Sequence, residues 1–333
     1  LSGHGKNLST ITRPSAERAI DGILVVNKYY DTEVTVFGAS GNIEVSDFTI
    51  TDGAPSPTRT GGDLLGFGNC ANIKVHDIHF GAHDQHGVDI AGVRNISVYR
   101  CTGLNTSNGA YIRSATVQVD GSGGMEGALN TGVVSEDVYI HHNVFDTTTS
   151  QELIHLGHKP QSQGVFKNIN IYKNKLKGGR KEFHSIFFVD SNSAFDGLNI
   201  HDNECETFHG GAAGINLVWD GSPTSGGIVK NVKIYNNTVK GLNRVPLYFG
   251  VASTAFAAYP PEMKNIEIYG NEIDVSSDTV YGMFTGITGV DNCQYRNNII
   301  NMTRTSGLNE IIGIRVCRNT RSEVTNNIVN VKV

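Results

Sequence analysis

The sequence predicts an all-β protein wound as a single-stranded parallel β-helix of about ten coils, and three observations predict it. A short motif, written most fully as "NVKIYNNTVKG" at 231–241 and "NIEIYGNEID" at 265–274, recurs along the chain. Each copy alternates apolar and polar residues with a period of two, the pattern of a short strand with one buried face. An Asn returns at one fixed place in seven consecutive copies.

The copies begin at residues 42 (NIEVSDFTI), 72 (NIKVHDIHF), 95 (NISVYRCTG), 137 (DVYIHHNVF), 168 (NINIYKNKL), 197 (GLNIHDNEC), 231, 265, 292 (NCQYRNNII) and 321 (RSEVTNNIV). Successive starts lie 30, 23, 42, 31, 29, 34, 34, 27 and 29 residues apart, with one long insertion between the third and fourth. Strands this short cannot bury an apolar face alone; stacked as coils of about thirty residues, they bury it continuously. A helical solenoid is excluded because the local period is two rather than about 3.6, and a propeller needs four strands in about forty residues.

Six residues into the later copies stand Asn143, Asn174, Asn203, Asn237, Asn271, Asn298 and Asn327. Stacked about 4.8 Å apart, such amides pass hydrogen bonds along a column, and Asn tolerates the left-handed turn expected there. The first three copies carry Phe48, Ile78 and Cys101 at this place, so the Asn ladder is expected to begin after the long insertion. Residues 1–35, which lack the motif, read as an N-terminal capping segment, and residues 36–333 as the β-helix domain.

Composition narrows the function classes. With 27 Lys and Arg against 32 Asp and Glu, the formal charge of -5 leaves no basic surplus for a phosphate backbone, so no nucleic-acid partner is expected. Five cysteines, at 70, 101, 205, 293 and 317, show no CxxC spacing and read as buried free thiols. The opening "LSGHGKNLST" has neither the cationic nor the apolar segment of a signal peptide, and no apolar run reaches the about 18 residues of a membrane span, so no membrane insertion is expected. The 39 Gly and 32 Asn against 8 Pro suit a chain made of strands and turns.

The stretches "GHGKNLSTI", "HGVDIAGVRNISVYRC" at 86–101 and "ATVQVDGSGG…EDVYIHHNVF…LIHLGHK…NINIYKNKL" resemble the pectin-lyase-like superfamily of right-handed parallel β-helices, from about residue 36 to the end. Within it they look like the polysaccharide-degrading tail spikes and appendages of bacteriophages and related secreted proteins. The resemblance implies a right-handed helix, an extracellular or virion (phage tail) location, and a homotrimer. It leaves the activity open, because the same fold hosts lyases, hydrolases, epimerases and inert adhesins.

A second strand precedes most copies: VDI at 88, VQVD at 117, IHLGH at 154, IFFVD at 186, INLVWD at 215, LYFGV at 247, MFTGI at 283 and IRVCR at 314. Registering the inward aliphatics Val88, Val117, Ile154, Ile186, Ile215, Leu247, Met283 and Ile314 puts one outward row at Asp89, Gln118, His155, Phe187, Asn216, Tyr248, Phe284 and Arg315. Asp120, His158, Asp190, Trp219 and Asp220 follow a few positions on. The row reads as a groove with acids and imidazoles at one end and rings toward the other, which suits an extended glycan: ring faces stack on sugars while amides and carboxylates bond hydroxyls.

The catalytic candidates are Asp89, Asp120, His155, His158, Asp190 and Asp220; the substrate-binding candidates are Gln118, Phe187, Asn216, Trp219, Tyr248 and Arg315. Glycoside hydrolysis requires two carboxyl groups, about 5 Å apart for retention or about 6.5–9.5 Å for inversion. Asp89 with Asp120, and Asp190 with Asp220, are expected on consecutive coils, the latter two with registers displaced by one residue. A lyase instead requires a base beside a carboxylate, for which His155, His158, Lys159 and Tyr248 are at hand. Each acid also has a plain structural reading, since Asp120, Asp190 and Asp220 precede turn residues. Asp84, His86 and Asp89 match no recognised ligand spacing, and "GSGG" at 121–124 lacks a phosphate-loop pattern, so neither metal nor cofactor is expected.

The expected function is therefore a glycan depolymerase acting on a bacterial surface polysaccharide or wall teichoic acid by hydrolysis. A lyase on a uronic-acid polymer and a non-catalytic receptor-binding adhesin are the alternatives. An enzyme predicts an open cleft at Asp89, Asp120 and His155; an adhesin predicts that this region is sealed or lacks converging acids. The insertion between residues 103 and 136 favours the enzyme, because an oversized loop there could wall a cleft.

Overall fold

The computed structural model describes residues 2–5, 9–13, 24–26, 41–52, 63–83, 86–104, 115–120, 134–147, 152–157, 165–178, 184–190, 194–219, 228–243, 246–251, 262–277, 280–285, 290–304, 311–316 and 320–332. Among the described residues there is no helix, and every strand pairs in parallel with the strand one coil away. The chain is a parallel β-helix with three faces, called here sheets A, B and C, visited in that order on each coil.

Sheet A carries the repeated motif in ten strands, from Gly41–Ser46 and Ala71–His76 through Val134–His141, Val165–Tyr172 and Ala194–His201 to Glu323–Thr325. Sheet B follows the motif's turn, as in Val144–Thr147 and Lys175–Gly178. Sheet C holds the second strands, including Leu65–Gly68, His86–Ala91, Ala115–Asp120, Glu152–Leu156 and His184–Asp190. One long strand, Glu204–Trp219, passes from sheet B into sheet C without a break. The segment before residue 36 contributes a rung of its own: Thr10–Arg13 pairs with Thr49–Asp52 in sheet B, and Leu24–Val26 with Leu65–Gly68 in sheet C.

Alternation along each strand sends Val, Ile, Leu and Phe inward to one continuous core. Isoleucines and valines at equivalent places stack coil upon coil, as Ile140, Ile171, Ile200, Ile234 and Ile268 do in sheet A. Cys70, Cys101, Cys205 and Cys293 are buried free thiols in this interior, and Cys317 lies outside the described residues.

The turn from sheet A to sheet B is built from two columns. The ladder asparagines face inward and are buried from Asn143 to Asn298. Each donates Nδ2 to the next Asn Oδ1, at 3.0 Å for Asn143 to Asn174, 2.9 Å for Asn174 to Asn203, and 3.0 Å for Asn203 to Asn237. The same Nδ2 also donates to a backbone carbonyl, that of Ile140 for Asn174 and Ile171 for Asn203, both at 2.9 Å. The ladder starts where the sequence places it: Cys101, its apolar predecessor, donates its backbone N–H to Asn143 Oδ1 at 2.9 Å.

One expectation about this turn is corrected. The left-handed conformation belongs not to the ladder Asn but to the residue before it, among them His142, Lys173, Asp202, Asn236 and Asn297, with φ between 54° and 57°. A left-handed residue reverses the chain there and lets the following amide point into the coil, so the two demands fall on neighbouring residues.

The outer face of sheet A carries a column of rings. His76, Tyr99, His141, Tyr172, His201, Tyr235 and Tyr269 stack with centroids 4.6 to 5.2 Å apart. The Arg100 guanidinium lies 4.7 Å over Tyr99, and that of Arg296 lies 4.3 Å over Tyr269 at the far end.

Candidate functional site

Sheet C brings the row together as its sequence register requires. Gln118 pairs with Asp89 on one side and with His155 on the other. The column continues through Phe187, Asn216, Tyr248, Phe284 and Arg315, each the partner of the one before. The inward neighbours Val88, Val117, Ile154, Ile186, Ile215 and Leu247 are fully buried, which fixes the face on which the row lies.

The strand register also places the expected acids. Asp120 pairs with Ala91, two residues beyond the Asp89–Gln118 partnership, so the two acids lie on consecutive coils two residues apart in register. One strand spacing and two residues of rise put the two Cα atoms about 8 Å apart on the diagonal. Further along, the Cα partner of Asp190 is Trp219. For Phe187, Asp190 and Trp219 the backbone alone is described, while Asp84, His158, Lys159 and Asp220 lie outside the described residues.

The acid end of the row is buried. Asp89 is 5 % exposed, Asp120 2 %, Gln118 1 % and His155 1 %, although all come from strands whose opposite face is the core. The open cleft expected of an enzyme is therefore not what these side chains line, yet the convergence of acids is present. The Gln118 amide nitrogen donates to Asp120 Oδ1 at 2.5 Å and to the Gly157 carbonyl at 2.6 Å. Ser135 Oγ donates to the Asp120 carbonyl at 2.7 Å and accepts from the Gly92 N–H at 3.1 Å, anchoring the strand end beside the acid.

Three further residues belong to this end: Asp63, His83 and His86, all buried. His86 Nδ1 lies 2.8 Å from Asp63 Oδ1 and 3.8 Å from Asp89 Oδ2. Burial pulls the His86 imidazolium down, but the charge and hydrogen bond of Asp63, aided by Asp89 and Asp120, outweigh it and push the ring up to about 9. His83, whose Nδ1 meets the Gly81 carbonyl at 2.9 Å, is pushed down to about 4 by burial. In the sequence, His86 stands with Asp84 and Asp89 in a spacing that matches no recognised ligand set, while Asp63 and His83 carry no motif of their own.

Asp63, His86 and Asp89 are the one group of three such donors among the described residues whose ligand atoms all lie within 4.8 Å of one another. Since His86 Nδ1 is already engaged by Asp63, a cation would have to displace that proton. The rings of sheet A offer no competing sugar platform. Their faces cover one another, with interplanar angles of 3° to 22°, and only edges point outward.

No family model and no curated protein matches the chain. Among solved structures it is similar to PfbA, a surface adhesin of Streptococcus pneumoniae, in two determinations. One has a TM-score of 0.59 at 17 % identity, covering 97 % of this chain and 78 % of that one. The other has a TM-score of 0.55 at 16 % identity, covering 98 % and 87 %. The A-module of the mannuronan C-5 epimerase AlgE6 of Azotobacter vinelandii gives a TM-score of 0.47 at 17 % identity, covering 98 % and 82 %. At such identities the PfbA likeness shows the parallel β-helix fold.

Proposed function

We propose that the chain is a glycan depolymerase that hydrolyses a bacterial cell-surface polysaccharide, wall teichoic acid included, along the outer row of sheet C. The observation that carries this reading is the buried convergence of Asp63, His86, Asp89, Gln118 and Asp120 on what is elsewhere an outward strand face. Burying carboxylates and an imidazolium costs several kcal/mol per ion before pairing, so such groups collect where chemistry or ligand binding uses them. Asp89 and Asp120 take the role of the acid pair. Their diagonal placement on adjacent strands, with Cα atoms about 8 Å apart, lets both carboxyl groups reach one glycosidic bond. Gln118 holds Asp120 in place, while Asn216 and Tyr248, further along the row, meet successive sugars with an amide and a ring.

The protein would work outside the cell, secreted or as part of a trimeric phage tail appendage, the setting that its sequence resemblance implies. The likeness to a surface adhesin supports an external setting. It also favours a second reading, a non-catalytic adhesin for a surface glycan, because Asp89, Asp120 and His155 are sealed from solvent.

Incubation with purified Gram-positive and Gram-negative envelope polysaccharides separates the readings. New reducing ends without ultraviolet absorbance from unsaturated sugars support hydrolysis; both signals together mean a lyase; binding with neither means an adhesin. Asp120→Asn is expected to abolish turnover with an unchanged circular dichroism spectrum, and full activity in that variant removes Asp120 from the site.

A further inference from the structure

Asp63 and His86 tie two coils together at the acid end of sheet C. Asp63 stands just before the strand Leu65–Gly68, His86 opens the next strand of that sheet, and the Leu64 N–H donates to the His86 carbonyl at 2.9 Å. Backbone pairing thus fixes the base of both side chains. Their contact at 2.8 Å is between buried groups, with 4 % of the His86 side chain and 11 % of the Asp63 side chain exposed.

Resting on the reading of sheet C as a glycan site, we infer that Asp63 is a positioning residue: from the preceding coil it grips His86 Nδ1–H and fixes the ring's orientation at the acid end of the row. In a doubly protonated ring both nitrogens are donors, so with Nδ1–H held by Asp63 the ring keeps Nε2–H as a second, cationic donor. Such a donor fits the oxygen on which negative charge develops as a glycosidic bond opens.

The neighbours support this division of labour. Asp63 faces His86 from the preceding coil, Asp89 from its own strand and Asp120 from the following coil, while His83 is the other imidazole nearby. Burial, together with the His86 charge, keeps His83 neutral, so two imidazoles three residues apart in sequence are held in opposite protonation states. Environments that drive two titratable groups apart in this way mark acid and base assignments. The same interaction sets an alkaline limit: cationic His86 is lost as pH rises through about 9, and with it the donor.

The test is the titration of His86 itself, followed by heteronuclear NMR of the intact protein with the resonance assigned through His86→Gln. In the natural protein the ring is expected to lose its proton near pH 9; in Asp63→Asn, where burial is no longer outweighed, the loss is expected below 6.5. A natural-protein titration at or below 6.5, or one that Asp63→Asn leaves unmoved, overturns the inference. If Asp63→Asn does not fold, the natural-protein titration alone decides.

Turnover supplies a second arm: Asp63→Asn should lose most of the activity that His86→Gln loses and shift the alkaline limb of the pH profile downward, with partial rescue by Asp63→Glu. Equal loss with an unshifted limb assigns Asp63 a merely structural role and overturns the proposal. Absence of turnover on every polysaccharide refutes the depolymerase reading and leaves the titration to judge the Asp63–His86 pair.

Discussion

Asn203→Ala tests the ladder on which the stacked coils depend. The Asn203 side chain donates to the Ile171 carbonyl at 2.9 Å and to Asn237 Oδ1 at 3.0 Å. It accepts from the Asn174 backbone N–H at 3.1 Å and from Asn174 Nδ2 at 2.9 Å. Truncation removes all four bonds at about 1 kcal/mol each and leaves the Asn174 donors in a buried turn, where an orphaned group costs about 1–3 kcal/mol. The expected loss is about 5–7 kcal/mol, above the usual range for one substitution. Asn327→Ala is the control, because Asn327 accepts equivalent bonds from Asn298 but is itself only partly buried, so water can reach the two bonds and replace them. Its expected cost is about 1–2 kcal/mol. Urea unfolding followed by circular dichroism measures both, and a lower m-value in Asn203→Ala would show the array parting at the lesion. A cost for Asn203→Ala under about 1 kcal/mol, or no greater than for Asn327→Ala, refutes the assignment of the ladder as a principal fastening of the coils.

Further outcomes follow from the same geometry. Burial first, then His142, Arg100 and Lys173, hold His141 down to about 4, so the folded ring resists a proton that the unfolded chain accepts at 6.5. Its contribution is whole above pH 6.5 and is lost as pH falls toward 4. With the ring half-exposed, screening reduces this to about 1 kcal/mol, and His141→Phe, which keeps the stack, should flatten that part of a melting-temperature profile. Gly241 sits at φ +110°, and a Cβ there would lie 1.9 Å from the Thr207 carbonyl oxygen, so Gly241→Ala should cost about 3 kcal/mol or more in thermal unfolding. Burial pushes the Cys70, Cys205 and Cys293 thiols up to about 12, so mass spectrometry after iodoacetamide treatment should find them unmodified in the native protein and alkylated in urea.

The fold was legible because a solenoid converts spacing along the chain into contact in space. Asn174, Asn203 and Asn237 hold the same place in three copies of a motif, and coiling makes them hydrogen-bonded neighbours. The sheet C row from Asp89 to Arg315 was legible for a related reason: each inward aliphatic fixes its strand's face, and a slip of one residue would turn the whole face over. The ring column, with His76, Tyr99, His141 and Tyr172 four residues into successive copies, stood in the same motif and needed only to be read across coils. Propensity was a poorer guide than position at the turn, where His142 and Lys173 take the left-handed conformation despite their side chains because the inward place must go to an amide. The acid end was only half legible. Asp63 precedes Leu65–Gly68, a strand outside the row of eight that the sequence registers, so nothing in the repeat announces it. It meets His86 across a separation of 23 residues, the contact that brings an ion pair to the side of Asp89. Periodicity locates residues that every coil supplies; a site is made by the residue that one coil alone supplies, and its role follows from the charge it holds in place.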